Sequence, residues 1–226
     1  MSQGDVGLAL ALMTGSIALV GCFDVRAVDP GPAVLDDFED GNQTSSLPPF
    51  MDWTCQTFQP DGPLDCDLTP GFDSRFSLSA AFTIVDPLDG IQQHGGVLIA
   101  AFADRSVDLT GMSTATFAVR LTSTTTPFPP KSLMHMDLLC STAVGENGAM
   151  LVNFALVQSI AFTDEWSTVT LAISNFGPAP WQPEHIKGGA PACLRAVDGI
   201  QFVFEAAIPD GQSGGGTLSI DEVRLQ

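Results

Sequence analysis

Apolar segments of strand length, separated by turn residues, follow one another along most of this chain. In ATFAVRL (115–121) and IQFVFE (200–205), apolar residues recur at every second position, the period that gives a strand one buried face. Further candidate strands lie at 34–38, 77–85, 97–102, 133–141, 151–157 and 166–173, with turn signals at 60–62, 86–90, 145–148, 209–211 and 214–216. No segment has the period of an amphipathic helix longer than three turns. About nine or ten strands in roughly 190 residues predict an all-β fold, an antiparallel β-sandwich.

The N-terminal part of the chain has a different character. Residues 8–22, LALALMTGSIALVGC, are mostly apolar and end in Leu19-Val20-Gly21-Cys22. The run is shorter than the about 20 residues of a membrane-spanning helix and is typical of the apolar region of a signal peptide. Its last four residues resemble the lipobox of bacterial lipoproteins. A short uncleaved anchor and a buried N-terminal helix are the alternatives, since the preceding MSQGDV has no Lys or Arg.

The lipobox resemblance implies a division of the chain and a location for the protein. Residues 1–21 are then a signal peptide, Cys22 is the lipidated N-terminus, and 22–33 is a short tether. The residue after Cys22 is Phe23 rather than Asp, which implies a lipid-anchored protein of the cell envelope with an outer-membrane address. No second linker follows, so we expect one β-jelly-roll domain at 34–226.

Charge excludes one class of partner. The formal net charge is −18, with only 8 Lys and Arg against 26 Asp and Glu. Binding to nucleic acid requires clustered cations, so a nucleic-acid partner is not expected. The abundant carboxylates suit Ca²⁺ instead.

The five cysteines predict disulfide bonds. With Cys22 assigned to lipid, four remain, and an even number in an exported chain is typical of disulfides. We predict Cys55–Cys66, because these two are close in sequence and flank the turn-rich QPDGPLD, which leaves Cys140–Cys193 as the second pair. Four reduced core thiols are the alternative. A zinc site is less favoured, because no CxxC pair occurs.

The two ends of the expected domain are both acidic. In LSIDEVRL (218–225), the apolar residues before and after Asp221-Glu222 are out of phase, and a β-bulge at these two residues would restore the register. The opening LDDFEDG (35–41) carries four more carboxylates. If the first and last strands are neighbours, as in a jelly roll, the acids converge and supply the oxygen ligands that Ca²⁺ takes.

Five segments resemble those of galactose-binding-like β-jelly-roll domains, a group that includes carbohydrate-binding modules attached to glycoside hydrolases: DDFEDG (36–41), VDLTGMSTATFAVRL (107–121), DEWSTVTLAISNF (164–176), VDGIQFVF (197–204) and SIDEVRL (219–225). The resemblance covers about 34–226. It implies a structural Ca²⁺ held by Glu39 and Asp221, with Asp37 as a further ligand. A solvated sheet edge is the alternative interpretation of these acids.

Aromatic residues are the candidate ligand contacts, because sugar-binding modules stack exposed rings on sugar faces. The chain has three Trp and no Tyr. Trp181, in a Pro-rich loop, and Trp53 are the candidates, although large aromatics often belong to cores. Trp166 begins an apolar strand and is expected in the core. His135 lies within a strand and is expected to be buried or paired.

The resemblance implies a function without catalysis. No G-x-S-x-G, H-E-x-x-H or P-loop motif occurs in the chain, so we do not expect an enzyme. The leading hypothesis is a non-catalytic carbohydrate-binding module, with a polysaccharide or glycan as its partner, on a membrane-anchored lipoprotein. A structural or protein-interaction surface lipoprotein is the alternative. The third hypothesis is a polysaccharide-active enzyme with a pair of carboxylates.

Overall fold

Two antiparallel sheets make up the described part of the chain. The computed structural model describes residues 33–58, 62–85, 94–124, 132–140, 154–181, 188–207 and 213–226. Within these ranges the strands are β1 (Ala33–Asp36), β2 (Phe50–Phe58), β3 (Gly62–Leu64), β4 (Asp67–Thr69), β5 (Ser77–Val85), β6 (His94–Val107), β7 (Thr114–Ser123), β8 (Leu133–Cys140), β9 (Phe154–Ile160), β10 (Ser167–Ala172), β11 (Gly177–Pro178), β12 (Val197–Ala207) and β13 (Ser213–Leu225). A 3-10 turn covers Ile173–Asn175, and a short α-helix, α1, covers Ala190–Leu194.

The strand order shows a β-sandwich. One sheet has the order β10-β7-β13-β5-β4, with β1 paired to β13 as its sixth strand, and the other has the order β11-β9-β8-β12-β6-β2-β3. Each of the paired strands runs antiparallel to its neighbour. The all-β antiparallel sandwich expected from the alternating segments is confirmed.

The core lies between the two sheets, where large side chains from both meet. Phe117 on β7 packs against Phe202 on β12 with ring centroids 4.8 Å apart, and Phe82 on β5 lies 5.4 Å from Phe204 on β12. Edge-to-face and tilted ring pairs of this kind add to the free energy gained by burying the apolar surface. The alternating apolar side chains of β7 and β12 therefore point into one common core.

The domain ends meet as the sequence predicts. β1 pairs with β13, with Ala33 opposite Leu225. The register of β13 against β7 shifts between Asp221 and Arg224, and Glu222 has a φ of 50°. This is the predicted bulge, because one residue in the left-handed region restores the inward direction of the following apolar side chains.

The glycine run at 214–216, expected as a turn, lies inside β13. A Cβ on Gly216 would lie 2.2 Å from the Thr122 carbonyl oxygen, and one on Gly215 would lie 2.7 Å from the Phe82 carbonyl oxygen. Glycine at these positions lets the backbones of the neighbouring strands approach closely.

Both predicted disulfides are present. Cys55 on β2 is bonded to Cys66, with the two Cα atoms 5.4 Å apart. Cys140 on β8 is bonded to Cys193 on α1, with the Cα atoms 5.5 Å apart. The second bond fixes the short helix against the end of the seven-stranded sheet.

The N-terminal predictions fall on a part of the chain that the structure does not describe. The signal peptide at 1–21, the tether and the lipidation of Cys22 lie outside the described residues and stay predictions. In the described ranges, no helix has the length and apolar character needed to cross a bilayer. The division of the chain at residues 21 and 33 also stays a prediction.

Candidate functional site

The seven-stranded sheet turns one of its two faces away from the other sheet. On β8, Met134, Met136 and Leu138 are fully buried in the core, so the alternate residues His135 and Asp137 point to the opposite side. We call that side the outer face. Its side chains on the central strands are Thr54, Gln56, Leu98, Ala100, Leu133, His135, Asp137, Gln201, Val203 and Glu205.

A hydrogen-bonded polar network occupies the middle of the outer face. His135 Nδ1 lies 2.5 Å from Asp137 Oδ1, and Gln201 Nε2 donates to Asp137 Oδ2 at 2.7 Å. Gln201 reaches Asp137 because the two residues are direct cross-strand partners between β12 and β8. Both carboxylate oxygens therefore have partners, which offsets the cost of burying the carboxylate. The expectation that His135 is buried and paired is confirmed.

Trp181 lies over this network. His135 is only 2% exposed and Asp137 only 1%, although both point to the outer face. The Trp181 ring is tilted over His135 with ring centroids 5.4 Å apart. One side of the indole thus rests on the buried histidine, while 54% of the residue remains exposed. An indole held in this way offers a rigid apolar surface to a ligand.

The backbone before Trp181 is fixed to the edge of the seven-stranded sheet. The strand β11 pairs with β9, with Gly177 opposite Val157. The backbone N–H of Ala179 then donates to the Ala155 carbonyl oxygen at 3.1 Å. These bonds hold the chain at the sheet edge up to two residues before Trp181.

The outer-face side chains form rows that run across the strands. One row joins Thr54, Ala100, Gln201 and Asp137 as successive cross-strand partners. The next row joins Gln56, Leu98, Val203 and His135 in the same way. Both rows begin and end with a polar residue; the residues between are Ala100 and Gln201 in the first row and the aliphatic Leu98 and Val203 in the second. They give the face a shallow strip that crosses four strands.

Trp53 does not lie on the surface, as a sugar-stacking role would require. It is 2% exposed and packs in the core, with its ring 5.8 Å from Phe38 and 6.3 Å from Phe202. Its indole Nε1–H donates to Asp36 Oδ2 at 2.8 Å. Trp53 alternates inward on β2, and the burial of its large apolar ring decides its place.

Trp166 also differs from the expectation. It is partly exposed at the start of β10, and the Arg120 guanidinium carbon lies 4.8 Å from the ring centroid. Phe72 packs on the same ring at 6.2 Å. The residue therefore belongs to the side of the six-stranded sheet that points away from the core, because it is in phase with Arg120 and out of phase with the inward Val119.

The partner of Trp53 was not singled out by the sequence. Asp36 is fully buried and also accepts a hydrogen bond from the Phe38 backbone N–H at 2.8 Å. Burial, together with the neighbouring charges of Asp40 and Asp37, raises the pKa of Asp36 to about 6, although the two hydrogen bonds from Phe38 and Trp53 act to lower it. The sequence did not distinguish this carboxylate from the other acids of the opening segment, Asp37, Glu39 and Asp40, which are exposed or partly exposed.

The raised pKa of Asp36 predicts a pH-dependent stability. The folded state holds the proton more tightly than the unfolded state, in which the pKa is near 3.8. The contribution of Asp36 to the free energy of unfolding is therefore largest below about pH 4 and is lost as the pH rises through about 6. We expect the free energy of unfolding of wild type minus that of Asp36→Asn, measured with urea at several pH values, to decline in this way. The fluorescence of Trp53 should also change near pH 6. A pH-independent difference would contradict it.

The acids predicted to hold Ca²⁺ are bound by the protein itself. Asp221 Oδ2 accepts from the Phe72 backbone N–H at 2.9 Å and from the Ser74 hydroxyl at 2.5 Å. Glu39 Oε1 accepts from the backbone N–H groups of Arg75 and Phe76 at 2.7 and 3.0 Å. The loop 72–76 thus links the first and last parts of the domain, the connection that the resemblance assigns to a cation.

The predicted calcium site at these acids stays a prediction. Among the described residues, no group of three or more His, Cys, Asp or Glu side chains could hold a metal ion. Asp37 Oδ1 accepts from the Glu39 backbone N–H at 3.2 Å, a local turn contact. A structural Ca²⁺ at Glu39, Asp221 and Asp37 would therefore have to take further ligands from backbone carbonyl or water oxygens.

The hydrogen-bonded loop predicts how the protein responds to metal. We expect the thermal midpoint to be the same in CaCl₂ and in EDTA, because Asp221 and Glu39 already have protein donors. We expect Ser74→Ala to lower the free energy of unfolding by about 1–2 kcal/mol, since it leaves a buried carboxylate oxygen short of a donor. Differential scanning fluorimetry and urea unfolding measure the two effects. A calcium-dependent rise in the midpoint would contradict the first expectation and support the resemblance.

The fold is similar to that of known sugar-binding domains. The family 11 carbohydrate-binding module of a cellulosomal cellulase of Clostridium thermocellum matches with a TM-score of 0.52 and 16% identity, over 88% of this chain and 95% of that one. A structure of the C. thermocellum family 11 module in complex with a β-1,3-1,4-mixed-linked tetrasaccharide matches with the same TM-score and identity, over 88% and 96% of the two chains. At this identity the similarity shows the fold alone. The chain matches no protein-family model and no curated protein.

The sequence identified Trp181 as a candidate contact, but it did not reveal the residues that support the Trp181 ring. Trp181 was identified from its Pro-rich loop, and His135 was expected to be paired. Asp137 and Gln201 were missed, although the alternation within β8 and β12 already placed each of them opposite the buried apolar positions. A polar residue on the regular outward phase of a strand carries no signal of its own, because most such residues are simply solvated.

Proposed function

We propose that this protein is a non-catalytic carbohydrate-binding module that holds a glycan on the outer face. The observation that carries the proposal is the exposed Trp181 indole, which rests on a buried and hydrogen-bonded polar network in the middle of a sheet. A surface aromatic usually has to be ordered when a ligand binds, at a cost in conformational entropy. Here His135 already supports the ring, so less of that cost remains.

The chemistry of the face suits a sugar. A pyranose presents C–H groups on its faces and hydroxyls around its edge, so it needs an apolar plate and nearby hydrogen-bonding groups. Trp181 supplies the plate. Gln201 is partly exposed and has an amide oxygen beyond its bond to Asp137. This amide is the polar contact that we assign to sugar hydroxyls, while the buried His135 supports the ring from below.

Charge narrows the class of glycan. Asp137 and Glu205 both lie on the outer face, and the chain as a whole carries a formal net charge of −18. Like charges brought together on binding are unfavourable, so anionic polysaccharides are disfavoured. We therefore propose neutral glycans as the ligand class. The carbohydrate-binding modules with the same fold support this proposal without showing it, because the identity is low.

A binding panel tests the proposal. Purified protein is run by affinity electrophoresis through gels that contain neutral β-glucans, xylans or mannans, or the anionic polysaccharides alginate and pectin. We expect retardation by at least one neutral polysaccharide and none by the anionic ones. Binding to no glycan at all would overturn the proposal and favour the alternative, a structural or protein-interaction protein. Release of reducing sugar during the incubation would support the third hypothesis, an enzyme.

The cellular setting of the proposed module rests on the sequence. If Cys22 is lipidated, the module is held at the cell envelope through its N-terminus. In that position a non-catalytic module would keep a polysaccharide close to the cell. Incorporation of a labelled fatty acid at Cys22 is the observation that supports this setting.

A further inference from the structure

A cavity lies at the far edge of the outer face from Trp181. Its volume is about 640 Å³, and it opens beside the Cys55–Cys66 disulfide, between β2 and the hairpin that contains β3. The side chains around it that can hydrogen bond belong to Gln43, Thr54, Gln56, Asp65 and Asp67. The function proposed above does not use this cavity.

The strand pairing explains why a cavity forms here. On the side of β2 that faces away from β6, the Trp53 backbone N–H donates to the Gln43 carbonyl oxygen at 2.7 Å. The strand β3 pairs with this side of β2 only from Cys55 onwards. Two different segments therefore border β2, and a gap is left between them at Thr54. The disulfide and the bond from Gln43 Nε2 to the Cys66 carbonyl oxygen, at 2.6 Å, hold the borders of the gap in place.

The cavity is continuous with the site around Trp181. Thr54 and Gln56 line the cavity and are also the terminal members of the two rows that end at Asp137 and His135. Neighbouring strands lie about 4.8 Å apart, so the three steps from β2 to β8 span roughly 14 Å. The cavity and Trp181 therefore lie at opposite ends of one strip, separated by more than the length of a single sugar ring.

The lining indicates a neutral, hydroxyl-rich ligand. The Thr54 hydroxyl and the Gln56 amide can each donate or accept a hydrogen bond with a sugar hydroxyl, and the Asp65 carboxylate can accept one. Pro63 and Leu64 add an apolar wall. No Lys or Arg is among the described residues that line the cavity. An anionic group would therefore meet no cationic side chain in this lining.

We propose that this cavity is a second glycan subsite, so that the protein binds extended neutral oligosaccharides that reach from Trp181 to Gln56. This inference rests on the proposed function and adds a length requirement to it. When one ligand engages two subsites at once, the second contact is intramolecular and strengthens binding only for chains long enough to span both. Affinity should therefore rise with chain length and reach a plateau once the span is covered.

Oligosaccharide length and site-directed variants together test the proposal. A series from disaccharide to octasaccharide, taken from the neutral polysaccharide that retards the protein most, is titrated by calorimetry into wild type, Gln56→Ala, Asp65→Asn and Trp181→Ala. Gln56 and Asp65 are exposed, so these variants are expected to fold, and Thr168→Ala on the exposed part of β10 is the matched control.

We expect Gln56→Ala and Asp65→Asn to weaken binding of the longest oligosaccharide about fivefold to tenfold, in keeping with the loss of one or two hydrogen bonds. The shortest oligosaccharides should bind these variants as they bind wild type. Trp181→Ala should weaken binding at every length. Equal affinity of wild type, Gln56→Ala and Asp65→Asn for the longest chain would overturn the second subsite while leaving the proposed function intact. Absence of binding by wild type at any length would overturn both.

Discussion

Replacing Trp181 by alanine is expected to abolish most glycan binding and to leave the fold unchanged. The residue is 54% exposed and makes its described ring contact with His135 alone, so its removal takes little from the core. Truncation of a central Trp in a binding site typically costs 2 kcal/mol or more, which is roughly a thirtyfold loss of affinity. Affinity electrophoresis and calorimetry measure the effect, and far-UV circular dichroism checks the fold.

A second tryptophan provides the matched control for this result. Trp166 is also partly exposed, but it lies on the side of the six-stranded sheet that points away from the core, next to Arg120. Trp166→Ala removes an aromatic of the same size and should leave glycan binding as in wild type. If Trp166→Ala lost binding and Trp181→Ala retained it, the binding surface would lie on the other sheet and our assignment of the site would be wrong.

The support beneath Trp181 gives this prediction a finer form. Asp137→Asn keeps the size of the side chain but weakens the bond that fixes the His135 ring. We expect a smaller loss of affinity than for Trp181→Ala, together with a change in the near-UV circular dichroism of the indole. Gln201→Glu replaces the amide that lies 2.7 Å from Asp137 Oδ2 by a second carboxylate. Because the two carboxylates repel each other, we expect it to lower glycan affinity more than Gln201→Ala does.

Loss of the Cys140–Cys193 bond is expected to cost more stability than loss of the Cys55–Cys66 bond. The two bonds close loops with sequence separations of 53 and 11 residues. In the chain-entropy model, loops of these lengths correspond to about 4 and about 3 kcal/mol of stabilisation, because the longer loop has more freedom in the unfolded state. The double variants Cys140→Ala/Cys193→Ala and Cys55→Ala/Cys66→Ala, unfolded in urea, measure the difference.

Reduction provides the control for the disulfide prediction. With dithiothreitol present throughout, wild type should fall to the stability of a protein without either bond, and the two double variants should move toward it. Cys140 and Cys193 are both buried, whereas Cys66 is only partly buried beside the buried Cys55, so the packing lost should add to the larger cost at Cys140–Cys193. A larger loss for Cys55→Ala/Cys66→Ala would show that local packing at the β2–β3 edge outweighs loop entropy.

Much of the fold could be predicted from the sequence, because it depends on local alternation. β5 was predicted at its observed bounds, Ser77–Val85, and the bulge at Asp221-Glu222 followed from the phase of the flanking apolar residues. The strand β2, nine residues long, was not predicted. Its inward positions, such as Trp53 and Cys55, lie among exposed polar residues, and the register shift near its start obscures the alternation.

The candidate site could be predicted only in part, for a related reason. Trp181 stood out as a large aromatic in a Pro-rich loop. Asp137 and Gln201 are 64 residues apart, and only the pairing of β8 with β12 brings them within hydrogen-bond distance. The misassignment of Trp53 has the same origin, since its burial depends on Phe38 and Phe202, from distant parts of the chain.

The sequence by itself determined the fold class and the disulfide pairs, and its net charge disfavoured a nucleic-acid partner. Strand periodicity, cysteine spacing and net charge are local or additive properties, and they do not depend on which strands become neighbours. The tertiary structure alone decided that Trp181 is the exposed aromatic above a polar network, that Trp53 is a core residue bonded to Asp36, and that loop 72–76 holds Glu39 and Asp221. Each of these depends on cross-strand register, because a side chain has a function here only through the neighbours that the sheet gives it.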